Sequence, residues 1–468
     1  MLEFKSFSIK NLLSVADFIK GNKFVCCDLS LGCLLMWHNG KDPKFAVWDD
    51  TLIVELNYGG DITFAYPIGK NADGAITEIE RYTKSLDMPM KIYCATQKQA
   101  EDLKTRFDCG VCYSFGSEWS DYIYSASEIA KFKGRKFNGQ RNHINKFNKS
   151  FPDAVFEEIS DNDKVGIEKM LALYAREHDK MEGIEKKELR ATKDLLAHYR
   201  DLGLDGYIIK VGGEVAGFTI GEVIGDTLVI HVEKALKKYE GIYPALFNAF
   251  VRHIVSRETE VNFVDREDDS GDVGLRISKR QYHPIRMLDK YYVRIHTPVA
   301  KVKNLPDISG TGVFLGEILE SDKREYRMLS VDAENNKMWG YDYRDDGIID
   351  AEIDDDTFYK DQLEDRVYGE SLNFAVRENA GGKLIGEVII YNFTATDKGE
   401  IGCRIAKEFH GRGIGSKAFA LAAKWAKTEL GITLVAKRYK ENVASEKMIK
   451  GAGFRFIKEE GRFHYYEL

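Results

Sequence analysis

A chain of 468 residues, 44% hydrophobic, 12% aromatic and 31% charged, is long enough for two or three cores and has a globular composition. A formal net charge of −7 excludes an overall polyanion binder and leaves room only for a local basic patch. No run is long and apolar enough to span a bilayer, and Met1-Leu2-Glu3-Phe4-Lys5 opens without a signal-peptide core, so a cytoplasmic location without membrane insertion is expected. The seven cysteines, Cys26, Cys27, Cys33, Cys94, Cys109, Cys112 and Cys403, are odd in number and scattered through apolar segments, which suits buried free thiols. Cys109-Gly-Val-Cys112 has the spacing of half a zinc site or of a redox pair. No second pair has matching spacing, so no metal is expected.

In the first segment, Phe45–Trp48, Thr51–Leu56 and Ile62–Tyr66 read as consecutive strands and Ile76–Leu86 as a helix. A basic run follows: Lys131, Lys133, Arg135, Lys136, Arg141, Lys146 and Lys149 contain no acid among them and interleave with Phe132, Phe137 and Phe147. Such a run meets an RNA backbone or a phosphate, or it is a solvated helix joining two domains. In the middle segment, Tyr207–Ile220 is a hairpin around Gly212-Gly213, Asp226–Glu233 is a strand, Gly241 leads into a helix through Val255, and Val261–Val264 is a further strand.

The last segment repeats that order. Leu384–Ile390 and Gly399–Ile405 are strands, a helix runs through Lys417–Ala426, and Thr433–Ala436 is a strand. Asn442 caps a helix reaching Ile449, Gly451-Ala-Gly453 ends it, and Phe454–Ile457 with Phe463–Tyr466 forms a closing pair. The distinctive piece is Phe409-His410-Gly411-Arg412-Gly413-Ile414-Gly415-Ser416. Alternating glycines admit a ligand to the backbone, and the opening turn of a helix offers unpaired N–H groups and a positive dipole end. Together they form a socket for a pyrophosphate, whereas the middle segment has only Gly241 in its place. Upstream, Met338-Trp-Gly-Tyr-Asp-Tyr-Arg-Asp-Asp346 is aromatic and acidic. It either lines a groove for a cationic amine through Trp339, Tyr341 and Tyr343, or is an aromatic packing turn.

The run Gly402–Phe454 resembles the GNAT superfamily of acetyl-CoA-dependent N-acetyltransferases, most like its ribosomal-protein N-terminal acetyltransferase branch. The family signature is Arg/Gln-x-x-Gly-x-Gly/Ala, then Asn-x-x-Ala/Ser and a Gly-Phe pair. His410-Gly-Arg-Gly413-Ile-Gly415 fills the first part with His410 replacing Arg or Gln, and Asn442-Val-Ala-Ser445 with Gly453-Phe454 fills the second. The resemblance implies that Cys403, Arg404 and Ile405 hold the pantetheine arm like an added strand. It further implies that His410, Gly411, Arg412, Gly413, Ile414, Gly415 and Ser416 form the pyrophosphate cradle, with Asn442 and Ser445 beside the cofactor. Chemistry in this class is direct attack of an amine on the thioester, which needs a base, an oxyanion site and a proton donor. Many members use a tyrosine as donor where this chain has Ile449, which leaves Tyr439 and Ser445 as substitutes. Glu400 and Glu387 flank the implied amine site, and Glu400 is the candidate base; each also reads as a solvated strand carboxylate.

Residues 20–295 are similar to the C-terminal domain of lysylphosphatidylglycerol synthases. The likeness is carried by Lys131–Phe137, Arg141-Asn142, His231–Ala235, Asp265–Asp269, Gly274–Arg276 and Lys279–Pro284; Asp265 stands where relatives usually have asparagine. That family packs two GNAT-like folds in tandem and transfers an aminoacyl group from tRNA. The expected fold is therefore α/β (α+β), three GNAT-like mixed-sheet units in tandem with the first two forming one module. The expected bounds are 1–130, 131–296 and 297–468.

The leading functional expectation is an acetyl-CoA-dependent acetyltransferase in the last unit, acting on a small-molecule or peptide amine. One alternative is an aminoacyl-tRNA-dependent transferase in the middle unit, with tRNA held by residues 131–149. The other is a front half that binds a small polar ligand without catalysis. Glu233, Arg266, Glu267 and Arg276 are candidate substrate contacts there, or equally structural ion pairs.

Overall fold

The alternation of apolar residues that marks the strands in sequence resolves into three mixed sheets in a computed structural model of the chain. It describes residues 2–468 except Phe7, Asn22, Phe24, Val25, 39–43, 59–60, 108–109, Phe115, 178–182 and Thr259. Cys109 therefore lies outside the described residues, while Cys26, Cys27, Cys33 and Cys94 are buried free thiols. The chain divides into two compact units, Met1–Ile79 with Ile92–Ala100 and Ser114–Tyr292, and Glu80–Lys91 with Glu101–Tyr113 and Val293–Leu468. Among the described residues, no helix is long and apolar enough to cross a membrane.

In the first unit, one sheet runs from Lys5–Ser6 through Lys44–Trp48, Thr51–Tyr58 and Asp61–Ala65 to Met90–Ala95, where pairing turns parallel with Phe64 opposite Ile92. A second, seven-stranded sheet has the order Arg286–Leu288, Asp121–Ser125, Phe263–Asp265, Thr227–Ala235, Glu214–Ile224, Asp205–Val211, Val155–Glu158. The hairpin around Gly212-Gly213 forms as expected, both glycines having positive φ. Helix Ile242–Arg257 covers this sheet with Leu246, Phe247, Phe250, Val251 and Ile254, the i, i+3/i+4 spacing of a buried stripe.

The second unit contains an eight-stranded sheet in the order Ile308–Gly310, Val313–Glu317, Leu372–Arg377, Gly386–Tyr391, Lys398–Ile405, Thr433–Tyr439, Phe463–Glu467, Arg455–Glu460. Helix Ile414–Trp425 buries Ile414, Ala418, Phe419, Ala422 and Ala423 against it. Small alanines let the helix lie close to the strands. Gly415 takes this furthest, since a Cβ there would stand 3.1 Å from Ile405 Cγ1.

Two of the three sheets share one irregularity. Lys398–Ile405 and Thr433–Tyr439 pair in parallel only from Lys398–Thr433 to Glu400–Val435. Beyond Glu400 the first strand keeps its other partner through Ile405, leaving Ile401–Ile405 open on one edge. In the first unit, Thr227–Ala235 pairs with Phe263–Asp265 only from Thr227–Phe263 to Val229–Asp265, and then also runs on.

Candidate acyl-CoA site

An open strand edge presents unpaired N–H and C=O groups that an extended ligand can satisfy. Beside the open run Ile401–Ile405, the chain turns through Lys407–Phe409 into the glycine loop. Gly411 and Gly413 have φ of +76° and +74°, and a Cβ on either would meet nothing within 4 Å. The backbone there thus needs glycine for its conformation, and the space outside it is open. Gly413 is the N-cap of helix Ile414–Trp425. Among the described residues, no acceptor meets the N–H groups of Gly411 through Ser416, the first bond of the helix being Lys417 N to Gly413 O. These donors and the dipole end face open space, the arrangement that holds a phosphate.

His410 ties this loop to the open strand, donating from Nε2 to the Ile405 carbonyl at 2.7 Å. Its side chain is engaged by the protein, so the residue that replaces the family's Arg or Gln positions the loop. Arg412 lies over the Phe409 ring at 5.0 Å and 3.6 Å from Glu378, both partners being half exposed. Cys403 and Ile405 turn toward the helix; Cys403 Sγ lies 3.8 Å from the Gly415 carbonyl, and burial, then Glu387, pushes its thiol up to about 12. Asn442 caps helix Val443–Gly451, its Oδ1 accepting from Ser445 N at 3.0 Å.

Strand alternation sends Gly402 and Arg404 to the opposite face. Arg404 meets Glu387 at 2.8 Å, donates to Ser330 Oγ at 2.8 Å and lies 4.7 Å from the Trp339 ring centre. Glu387 is buried and also accepts from Tyr326 Oη at 2.6 Å and Asn373 Nδ2 at 2.8 Å. Glu387 was expected as a solvated strand carboxylate or a base; instead it is a buried, fully engaged anchor for Arg404. Glu400 is likewise held, accepting from Tyr391 Oη at 2.6 Å and Asn392 Nδ2 at 3.2 Å with Lys437 Nζ 3.0 Å away. Three partners on two neighbouring strands and a loop thus fix the position of this carboxylate.

Of the aromatic segment, Trp339 reaches the open strand, against Gly402 and Arg404. Tyr343 is buried against Phe358 and donates to Asp350 at 2.7 Å, so it faces the core. Tyr341 is exposed. Tyr439 is buried beside Phe463, ring centres 4.7 Å apart, and among the described residues no hydrogen bond involves its hydroxyl.

The corresponding loop of the first unit is closed. Gly241 caps helix Ile242–Arg257 with φ +85°, as Gly413 does, yet a side chain there would collide with the His143 carbonyl. Helix Asn138–Ser150, which carries part of the basic run, fills the place of the socket. Arg141 is turned inward to the carbonyls of Phe132 (2.5 Å) and Gly134 (2.7 Å), and Lys146 pairs with Glu240 at 2.5 Å. Lys131, Lys133, Arg135 and Lys149 are exposed.

Around the open run of Thr227–Ala235 lies a buried polar cluster. Arg266 donates to Glu233 at 3.1 Å and stacks 4.4 Å from the Phe247 ring centre. Burial pushes the Glu233 carboxyl up against the pull of Arg266. Glu233 Oε2 and Arg266 Nη1 are buried without partners. Glu267 meets His231 Nδ1 at 2.9 Å, and Glu222 meets His231 Nε2 at 3.0 Å. Burial opposes a charge on this imidazole, but Cys33, Glu222 and Glu267 together hold it well above its usual pKa. Arg276 is not with these groups; it makes a bidentate pair with Asp269 at 2.8 and 3.0 Å. Lys290 sits among Asp28 (2.5 Å), Asp121 (2.8 Å) and Asp268 (3.4 Å), a cation already central to those carboxylates.

Comparison with known proteins agrees with this division. The family model of the C-terminal domain of phosphatidylglycerol lysyltransferase matches residues 23–294, and that of the GNAT acetyltransferase domain matches residues 319–455. The chain belongs to the phosphatidylglycerol lysyltransferase C-terminal family and carries, after that domain, an acyl-CoA-dependent acyltransferase domain of the GNAT class. A conserved protein of unknown function from Bacteroides thetaiotaomicron is 28% identical, covering 63% of this chain and 100% of its own, with a TM-score of 0.59. An uncharacterized protein of Mycoplasmoides gallisepticum is 22% identical over 228 residues, 48% of this chain and 71% of its own length. The lysylphosphatidylglycerol synthase of Bacillus licheniformis is 14% identical, with a TM-score of 0.45 over 60% of this chain and 90% of its own.

Proposed function

We propose that the second unit transfers an acetyl group from acetyl-CoA to a primary amine. The reading rests on one observation above all: an open strand edge, Ile401–Ile405, runs into unpaired N–H groups at Gly411–Ser416. The pantetheine arm would pair along the open edge and the pyrophosphate would sit on the loop, which directs the thioester toward Gly402 and Glu400. The amine nitrogen attacks the thioester carbonyl carbon, the C–S bond breaks as the N–C bond forms, and the amine proton passes to solvent. The departing thiolate takes a proton from Tyr439, whose hydroxyl has no competing hydrogen bond among the described residues, or from Ser445. No role as base is given to Glu400, whose oxygens are held by Tyr391, Asn392 and Lys437.

The test is a thermal shift with acetyl-CoA on the full chain, followed by an assay of free thiol released in the presence of a primary amine. Binding should raise the melting temperature, as any ligand of the native state does, and Gly413→Asp should abolish the rise. An unchanged melting temperature in the intact protein would sink the proposal.

A second reading concerns the first unit. Glu233 Oε2 and Arg266 Nη1, buried and unpartnered beside an open strand edge, suit a small ligand carrying both an amino and a carboxyl-like group. On this reading the first unit binds an amino-acid-like molecule. A compound that stabilises the protein and is lost with Glu233→Gln would support it.

A further inference from the structure

The first unit holds a buried thiol cluster that neither reading uses. The turn Cys27–Leu29 and the helix Leu31–His38 bring Cys27 and Cys33 to His231, on strand Thr227–Ala235, and to Glu267 just beyond strand Phe263–Asp265. The Sγ atoms of Cys27 and Cys33 and a carboxylate oxygen of Glu267 all lie within 4.8 Å of one another. Cys33 Sγ stands 3.2 Å from Glu267 Oε1 and 3.8 Å from His231 Nδ1, and those two are 2.9 Å apart. Four ligand atoms bonded tetrahedrally to one zinc ion stand about 3.3–3.8 Å from each other. Three edges of such a tetrahedron are therefore near their length, and the ion itself would draw Cys27 in to complete it.

The groups behind these four hold them in place. Buried Glu222 accepts from His231 Nε2 at 3.0 Å and from Gly32 N at 2.8 Å, which leaves Nδ1 facing Cys33 and Glu267. A ligating imidazole is ordinarily oriented in this way, its other nitrogen donating to a carboxylate. Gly32 admits the ring, since a Cβ there would collide with the His231 imidazole. Asp121 accepts from Cys27 N at 3.0 Å, and Lys290 Nζ lies 3.4 Å from Cys27 Sγ, an ammonium placed where a thiolate would form. The surrounding charge favours a further cation. Lys290 is already shared by Asp28, Asp121 and Asp268, while Asp265 Oδ2 and Glu222 Oε2 are buried without partners among the described residues. The Glu267 side chain is 20% exposed, so the cluster is reached from solvent on that side.

We propose that Cys27, Cys33, His231 and Glu267 form a structural zinc site that pins residues 27–38 to the second sheet of the first unit. Two thiolates with one imidazole and one carboxylate suit zinc, and four protein ligands leave no open position for a substrate. As the bonds form, the two thiol protons and the Nδ1 proton leave to solvent. The metal-free protein keeps His231 bonded through both nitrogens, to Glu267 and to Glu222. The site has no mark in the spacing of the cysteines, because His231 and Glu267 follow Cys33 by 198 and 234 residues.

Zinc titration of the full chain, stripped with a chelator and kept reduced, tests the site. One equivalent should bind per chain and raise the melting temperature. X-ray absorption at the zinc edge of the wild-type complex should show two sulfur and two nitrogen or oxygen ligands. Co2+ in place of zinc should give thiolate-to-cobalt charge-transfer absorption. Cys27→Ser and Cys33→Ser should each weaken zinc binding by about a hundredfold or more, and Glu222→Gln by about tenfold. Cys94→Ser and Cys112→Ser should keep the wild-type affinity. Absence of stoichiometric binding, a zinc edge without two sulfur ligands, or loss of the metal with Cys94→Ser or Cys112→Ser but not with Cys33→Ser would overturn the inference. The wild-type spectrum decides the ligand set even where a variant does not fold.

Discussion

The Nε2–H of His410 and the carbonyl of Ile405, 2.7 Å apart, join the glycine loop to the open end of the strand that precedes it. The bond fixes the distance between a site for an extended arm and a site for an anion. A ligand that must satisfy both gains from that fixed geometry. His410→Ala should weaken acetyl-CoA binding by about three- to tenfold, the worth of one hydrogen bond, without changing the secondary structure. Calorimetric titration of the variant reads the effect directly.

Gly413 and Gly415 should separate binding from folding. Gly415→Val places a branched side chain where a Cβ alone already approaches Ile405 Cγ1 at 3.1 Å. It should destabilise the unliganded protein by about 1–3 kcal/mol, as overpacking does. Gly413→Asp, facing open space, should act mainly on the ligand. Melting curves with and without acetyl-CoA distinguish the two.

Removing one partner of the Glu387–Arg404 pair leaves a buried charge. Glu387→Ala should lower stability by about 3–5 kcal/mol, whereas Glu387→Ala combined with Arg404→Met should recover much of that loss. Urea unfolding of the single and double variants tests the coupling, and equal destabilisation in both would show that the pair is not the cause.

His231 gives the first unit a pH dependence of definite sign. Burial alone would lower its pKa, but Cys33, Glu222 and Glu267 raise it well above the ordinary value. A group protonated more tightly in the folded state contributes its full stability below the unfolded pKa, about 6.5. That contribution declines as pH rises above this value and is gone beyond the folded pKa. The stability difference between wild type and His231→Gln should therefore be largest near pH 6 and shrink toward pH 9. Thermal melts across that range should show the two curves converging; a gap that widens with pH would be inconsistent with the charged imidazole.

What the sequence made legible was local. The positive φ of Gly411 and Gly413, the cap at Asn442 and the buried stripe of Ile414–Trp425 each depend on residues within a few positions, and each was readable as such. The hairpin at Gly212-Gly213 and the strand Lys398–Ile405 were read for the same reason. Strands Val313–Glu317 and Leu372–Arg377 carry no such local mark: they are largely buried, polar Asn373 and Arg377 included, and show no apolar–polar alternation. The roles of charged groups were the least legible. Nothing near Glu400 in sequence announces Lys437, which arrives from the adjoining strand. Arg404 depends on Ser330, and His231 on Cys33, contacts that only the fold creates. Tyr343, sharing a motif with Trp339, is buried because its ring packs on Phe358, which lies well beyond the motif in sequence.

The central claim is that acyl-CoA binds along Ile401–Ile405 and on the N–H groups of Gly411–Ser416. Amide hydrogen exchange of the full chain, with and without CoA, addresses those groups themselves. The account predicts slowed exchange across residues 401–416 on adding CoA, with the Gly241 loop unchanged because the His143 carbonyl closes it. Protection at residues 227–245 with none at 401–416 would contradict it.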